Sequence, residues 1–474
     1  MAVGAQVAGA SARDVAAAIA ARSLSAVEVM DAHLERIAAW NPQVNAIVTL
    51  DEDGAHAGAR AADAAIARGE DLGPLHGLPI AVKDLEDTAG MRTTYGSAVF
   101  AEHVPDADGL LAERLRRAGA LIVGKTNTPE FGAGSQTFNA VFGATRNPHD
   151  LACTAGGSSG GAAAAVATGM LPFADGSDLA ASVRNPASFC GVVGLRPSPG
   201  RIPRADAASD PWGSLAVLGP IARTVDDAAL LLGALAGRDP RDPTSVAAPA
   251  AALAPVAPAD LGALRVAWSA RLIDLPVERE VSAVLDARRD ELAGLGVAVE
   301  EAEPDLRPAD EVFDVLRALL FAGLAAVLES HPDLVKDTVR WNVEKGLALG
   351  GAQIARAQAL RGATYAAMRE FMEGYDVLAL PTAQVVPFAV EQEWVREIEG
   401  VAMEHYVAWL RSCSRITVTG HPAISIPAGF TPAGLPVGPQ LVGRHLEERR
   451  LLAVAAALEE AFGVERGPRL SGTG

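Results

Sequence analysis

Thr154-Ala-Gly-Gly-Ser-Ser-Gly-Gly161, then the apolar run Ala162 to Met170, then Asp175-Gly-Ser-Asp-Leu-Ala-Ala-Ser-Val-Arg-Asn-Pro186, is the stretch on which the reading turns. It places two serine-bearing turns on either side of one apolar helix. Glycine clusters allow positive φ and close backbone approach, and a helix start offers unpaired N–H groups, so such turns can hold an anion or a polar side chain tightly. A nucleophilic serine needs a base. No histidine lies in either serine-bearing segment, so lysine is the alternative. Lysine occurs only at Lys83, Lys125, Lys336 and Lys345, and Lys83 ends the apolar run Leu78-Pro-Ile-Ala-Val-Lys83. Burial disfavours the ammonium, so a lysine drawn into a core can be a neutral proton acceptor near neutral pH.

Outward from this stretch the chain alternates strands and helices. Ser11 and Ser25 read as N-caps, with Glu28 completing a capping box on Ser25, and helical spacing continues to Ala39. Val44 to Leu50 reads as a strand, Asp51 to Arg68 as an Ala-rich helix, Leu78 to Lys83 as a strand, Leu110 to Ala118 as a helix and Ala120 to Lys125 as a strand. The alternation resumes with Arg265 to Ser269, Val281 to Leu295 and Val297 to Glu301. A helical stretch follows from Asp310 to Tyr375, broken near His331 and Gly350. The tail runs through strands at Tyr375 to Leu380, Ala423 to Pro427 and Pro439 to Val442 to a helix at Glu447 to Phe462. Apolar strands separated by helices predict an α/β fold with a mostly parallel sheet covered on both faces. Ser245 to Ala259, rich in Ala and Pro, reads as a surface excursion, and Pro381 to Gly400 as a lid or pocket wall.

Composition removes several classes. The chain has 474 residues, 50% of them hydrophobic, enough for a large buried core. Its net charge of −18 gives no reason for phosphate backbones or anionic membranes to attract it. The three cysteines, Cys153, Cys190 and Cys413, are odd in number and widely spaced, against a disulfide framework or a thiolate zinc site. Cys190 reads as a packing residue. Met1 to Ala12 lacks the charged start of a secretory signal, and glycine or proline interrupts both long uncharged stretches, Leu151 to Ala174 and Ile416 to Gly443. A soluble, cytoplasmic protein with no nucleic-acid or membrane partner is expected.

Gly73-Pro-Leu-His-Gly-Leu-Pro-Ile-Ala-Val-Lys-Asp84, Gly124-Lys-Thr-Asn-Thr-Pro-Glu-Phe131, Gly156-Gly-Ser-Ser-Gly-Gly161 and Asp178-x-x-x-Ser182-Val-Arg184-Asn-Pro186 together resemble the amidase signature family. The likeness runs from about Ser25 to Val464 and includes Gly219-Pro-Ile-Ala-Arg-Thr224, Tyr375-Asp-Val-Leu-Ala-Leu-Pro-Thr382 and Gly434-Leu-Pro-Val-Gly-Pro-Gln440. The resemblance implies one large α/β/α sandwich with a mixed, mostly parallel central sheet, spanning 1–474 as a single domain. Within it lie a helical N-terminal part at about 11–70, a signature core at about 73–225 and a pocket region at about 310–420. It also implies a Ser, cis-Ser, Lys triad with Ser182 as nucleophile, Ser158 as bridge and Lys83 as base. Gly157 is sterically compatible with the unusual peptide bond leading into Ser158. The oxyanion hole would be the backbone of Leu179, Ala180 and Ala181, with Ser182 itself. There the chain departs from the family, which normally has Gly-Gly where this one has Ala180-Ala181. Either the alanines have negative φ or the loop is displaced. The backbone near Gly132 would face the nucleophile and substrate, with Asn127 bracing that loop; Asp178 and Arg184 would pair beside Ser182, and Gln384 would line the pocket.

The resemblance thus implies a hydrolase of carboxylic amides acting through a seryl acyl-enzyme on a small-molecule amide or carbamate, without metal or cofactor and as a monomer or homodimer, similar to broad-range amidases, aryl acylamidases and urethanases. Four alternatives stand beside it. One is the glutaminase subunit of a tRNA-dependent amidotransferase, which needs a partner protein. Another is an α/β-hydrolase-type esterase with Gly156-x-Ser158-x-Gly160 as its elbow, although Arg146 to Asp150 reads as a turn where an elbow needs a strand. The others are a phosphate cradle, which lacks a following Walker lysine, and a catalytically weakened scaffold.

Overall fold

The computed structural model describes residues 7–70, 72–205, 211–247, 253–465 and 467–468. The start of the Met1 to Ala12 segment and the middle of the Ser245 to Ala259 segment lie outside the described residues.

Eleven strands carry the architecture: β1 (Ile47–Leu50), β2 (Pro79–Lys83), β3 (Leu121–Thr126), β4 (Phe173–Asp178), β5 (Val193–Arg196), β6 (Val217–Ala222), β7 (Arg265–Trp268), β8 (Ala298–Glu301), β9 (Val377–Pro381), β10 (Ala423–Ser425) and β11 (Pro439–Val442). Eight form one sheet in the order β8-β7-β9-β11-β10-β5-β6-β4, and β1-β3-β2 form a smaller one. The main chain of Lys83 in β2 donates to the Asp175 carboxylate of β4, 3.1 Å, so the small sheet abuts the edge of the large one.

Side-chain alternation shows why helices cover both faces. In β9, Val377 and Ala379 enter one apolar cluster while Leu378 and Leu380 enter another. Val266 and Ala267 of β7, Ile424 and Ala423 of β10, and Leu441 and Val442 of β11 divide in the same way. On the first face lie helices Val225–Leu235, Arg279–Gly294 and Glu448–Phe462; on the second, Gly351–Phe371 and Arg411–Thr419. A sheet with apolar side chains on both surfaces must bury both, and the α/β/α sandwich is the result.

Four details differ from expectation. The sheet is mixed, but its parallel pairs are confined to β8-β7-β9 at one edge, with β2 and β3 parallel in the small sheet; from β9 to β4 each neighbouring pair is antiparallel. Strand and helix alternate along the chain, yet the chain re-enters the sheet from the opposite end, which alternation alone cannot reveal. The second helix runs Ala26–Val44 with Pro42 inside it, because Trp40 and Val44 are buried and Asn41 caps the turn by accepting from the N–H groups of Ala46 and Ile47. Asp150–Thr154 forms a short strand against Arg146–Asn147, outside the main sheet. Finally, the second half of the Ala/Pro excursion is tied down. Leu253 is buried, Val256 N–H donates to Asp226 and Ala259 N–H to the Ala453 carbonyl. Among the described residues no helix is long and apolar enough to cross a membrane.

Candidate active site

The helix Gly160–Ala167 is wholly buried, and its composition follows from the space around it. A Cβ on Gly161 would stand 2.4 Å from the Asn127 nitrogen, and one on Gly160 2.4 Å from the Thr137 hydroxyl. Only a helix of small residues can pass here, and its passage places the preceding Gly157-Ser158-Ser159 turn beneath the end of β2. The Gly157–Ser158 peptide bond is cis. A Cβ on Gly157 would meet the Gln136 main chain at 3.0 Å, so glycine is the residue that fits. The Ser135 hydroxyl donates to the Gly157 carbonyl, 2.6 Å, and Gly160 N–H to Thr137 Oγ1, 3.0 Å, fixing the turn from both sides.

Lys83, at the end of β2, is fully buried. Its Nζ lies 2.7 Å from Ser158 Oγ, 2.9 Å from Ser159 Oγ and 3.0 Å from Ser177 Oγ. Burial pulls its pKa down to about 7, against the opposing pull of Asp175, Glu86 and Asp178. A neutral amine has two N–H donors and one lone pair, so among three hydroxyls it can donate to two and accept from the third. Ser158 and Ser182 are both buried, and Ser159 N–H donates to the Ser182 carbonyl, 3.1 Å, tying the two serine-bearing turns together. Gly132 has φ of 68°, and a Cβ there would sit 3.5 Å from Ser158 Oγ, so this turn faces the same hydroxyl.

The turn from Leu179 to Ser182 leaves β4 with Ala180 and Ala181 both at negative φ. The two alternatives drawn from the Ala-Ala departure thus resolve toward the first. Among the described residues none accepts a hydrogen bond from the main-chain N–H of Leu179, Ala180, Ala181 or Ser182. The turn is held by its carbonyls instead. Ala180 accepts from Arg184 at 2.8 Å and from Thr417 at 3.2 Å, and Ala181 accepts from Asn185 N–H at 2.7 Å.

Arg184 and Asp178 pair as expected, through Nε and Nη2 at 3.0 Å each, with neither side chain exposed. Arg196 adds a second cation at 3.4 Å, and Val183 N–H donates to the same carboxylate. Burial alone would raise the Asp178 carboxyl, but the two guanidinium groups outweigh it and hold the group below its ordinary value. Arg184 also reaches Gln440 and Thr417, so the pair anchors the turn that carries Ser182 to β11 and to the helix Arg411–Thr419.

Asn127 is buried with its side chain fully engaged. It donates to the Gly143 carbonyl and to Thr145 Oγ1, and accepts from Thr128 N–H and Asn139 Nδ2. It therefore braces the loop leading to Gly132. Gln384 is likewise used internally, donating to the Pro276 carbonyl and accepting from Ser412 N–H. Cys190 is buried in an apolar cluster, and the three cysteines are free.

Three further polar groups at the site were not singled out from sequence: Ser159, Ser177 and Asp175. Asp175 and Ser177 are two apart on β4, so they share a face, and that alternation is the signal that could have found them. The elbow reading requires a histidine at Ser158. The buried His33 instead contacts the carbonyls of Gly169 and Met170, and His149 that of Cys190, while the amine of Lys83 contacts Ser158.

A two-faced α/β/α sandwich with a buried lysine against a cis-serine turn defines a class, and comparison with known proteins agrees: the sequence profile of the Amidase family matches residues 28–452. The chain belongs to the amidase family, the amidase signature enzymes, and is an amide hydrolase acting on a C–N bond. It is 38% identical over 453 residues to an acylamidase of Rhodococcus erythropolis, covering 95% of this chain and 94% of that protein. It is 37% identical to a glutamyl-tRNA(Gln) amidotransferase subunit of Anaeromyxobacter dehalogenans, covering 95% of this chain and 96% of that protein. Among solved structures it resembles a bacterial aryl acylamidase with a TM-score of 0.87 at 28% identity, covering 95% of this chain and 96% of that one.

Proposed function

We propose that this chain is a free-standing hydrolase of small-molecule amides, taking anilides or carbamates with apolar groups and releasing an acid and an amine through a seryl acyl-enzyme. The observation that carries this reading is the 2.7 Å contact between the buried Lys83 amine and Ser158 Oγ. The neutral amine accepts the Ser158 proton, Ser158 accepts the Ser182 proton, and Ser182 Oγ attacks the carbonyl carbon. The resulting oxyanion is met by the unengaged N–H groups of Leu179, Ala180, Ala181 and Ser182. One such donor is commonly worth about 3 kcal/mol in the transition state. As the C–N bond breaks, the leaving nitrogen takes a proton from Ser158, which recovers one from the Lys83 ammonium. Water then repeats the relay, its oxygen adding to the acyl carbon as Ser182 leaves protonated. The balance is amide plus water to acid plus amine.

Support for an apolar substrate comes from the surroundings of the nucleophile. Ala180 and Ala181 pack in one cluster with Phe313, Leu316, Val385 and Trp409. A glutamine-specific pocket would need charged groups placed for the substrate's own charges, and Arg317, buried beside this cluster, is already committed to Asn342 and Tyr406. The glutaminase reading keeps a place because the tRNA-dependent amidotransferase relatives are nearly as similar in sequence as the acylamidase. Acetanilide, a short aliphatic amide, an aryl carbamate and glutamine assayed side by side separate the two. Turnover of the anilide or the carbamate, with glutamine inert, supports the proposal; preference for glutamine would overturn it.

A further inference from the structure

The amine of Lys83 is not the only part of that residue under control. Its main-chain N–H, at the edge of the small sheet, is taken by the Asp175 carboxylate, with oxygens at 3.1 and 3.4 Å. A side chain occupies the place a neighbouring strand's carbonyl would ordinarily fill. Asp175 is 1% exposed, so its charge is carried into the core for a reason that solvation does not supply. A buried carboxylate is tolerated where cations compensate it, and here it faces two lysines, Lys83 on β2 and Lys125 on β3. Lys125 is itself buried and donates to the Glu86 carbonyl and to Thr88 Oγ1.

We propose that Asp175 is a positioning residue of the reaction, fixing the main chain of the catalytic base and setting, through its negative charge, the pH at which Lys83 can accept a proton. This rests on the reading of Lys83 as the base. The charged groups facing Lys83 are Asp175 and Asp178 from β4, Glu86 from the turn after β2 and Arg204 from the segment after β5. Lys125 also interacts with Asp175, and with Asp84, Glu86 and Asp87. Of these, Asp175 is the carboxylate in direct contact with Lys83, and it heads the groups that favour the ammonium. Burial raises Asp175 itself to about 6, so above that pH it is charged while Lys83 passes from ammonium to amine.

Removing the negative charge leaves the ammonium less stabilised, so Lys83 loses its proton at lower pH and the acid limb of the rate profile moves down. Asp175→Asn keeps an oxygen for the Lys83 N–H while removing the charge. With 4-nitroacetanilide as substrate and kcat/KM followed from about pH 5 to about pH 10, the limb is expected to fall by about one pH unit, with a plateau lowered by about tenfold or less. Asp175→Ser, which also retains an acceptor, reads the same displacement if the amide variant does not fold; thermal unfolding establishes which variants are native. A folded variant whose acid limb coincides with that of the unaltered protein overturns the proposal. Lys83→Ala separates this from failure of the underlying reading. If it is inactive while the Asp175 limb is unmoved, only the role of Asp175 falls; if it keeps the full rate and the same limb, the base assignment falls and takes the role of Asp175 with it.

Discussion

Two walls meet at Ser182, and they are built on opposite principles. On one side, Lys83, Ser158, Ser159, Ser177 and Asp178 form a wholly polar interior in which contacts of 2.7 to 3.0 Å fix the amine and the carboxylate. On the other, Ala180 and Ala181 of the same turn pack in one buried apolar cluster with Phe313, Leu316, Val385 and Trp409, which come from the helices and loops between Pro308 and Thr419. Trp409 meets Phe388 edge to face, with ring centroids 5.4 Å apart. Hydrogen bonds tolerate little displacement, whereas apolar contacts can be rearranged at about 1 kcal/mol per change. On the function proposed above, the polar wall carries out the reaction and the apolar wall selects which amide enters.

If this division is right, the largest losses come from the polar wall. Ser182→Ala should lower kcat by about 10⁵-fold or more while leaving the melting temperature nearly unchanged, by analogy with nucleophile removal in other serine hydrolases. For Lys83→Ala a loss of about 10³-fold or more is expected, exceeding that of any histidine substitution; one essential histidine would contradict the role of the polar wall. Asp178→Asn acts first on stability. It leaves two buried guanidinium groups short of their carboxylate, a disruption worth about 3 to 5 kcal/mol that chemical denaturation would register. Effects on the apolar wall should fall on selectivity: Phe313→Ala is expected to change the ratio of kcat/KM for an anilide over a short aliphatic amide by about tenfold, with the pH profile unmoved. Smallest is Ala181→Gly. Since Ala181 already has negative φ, glycine gains nothing there and should cost about 1 kcal/mol of stability with a change in rate of threefold or less.

The acid limb sharpens the same contrast. With Lys83 depressed to about 7 by burial, the amine form grows with pH, so kcat/KM should rise about tenfold per unit below that point and level off above it. Variants of the apolar wall should share this profile, and variants beside Lys83 should not.

Much of the polar wall was legible in the sequence because its residues lie in short, ordered segments. Asp178 with Arg184 and the buried Lys83 stand where local pattern or motif placed them, as does, outside that wall, the capping box of Ser25 with Glu28. Ser177 and Asp175 share one face of β4, but the strand is buried almost throughout, so no exposed side sets that face off and only the two-residue spacing marks it. The order of the sheet was hidden for a different reason: pairing is decided by which strand arrives beside which, and β10 pairs with β5 from more than two hundred residues further along the chain. Gln384 reads as a pocket residue by position, yet its amide is consumed by Pro276 and Ser412, contacts distant in sequence. The helix ending at Val44 shows the same override, since burial of Trp40 and Val44 outweighed the helix-breaking signal of Pro42.

On the proposed function, the hydroxyl of Ser182, activated through Ser158 by an uncharged Lys83, forms the covalent bond. Labelling the native protein with a fluorophosphonate and mapping the adduct by peptide mass spectrometry tests it most directly. The adduct is predicted on Ser182, absent from Ser182→Ala and strongly slowed in Lys83→Ala; an adduct on Ser158, or one formed at full rate without Lys83, would contradict it.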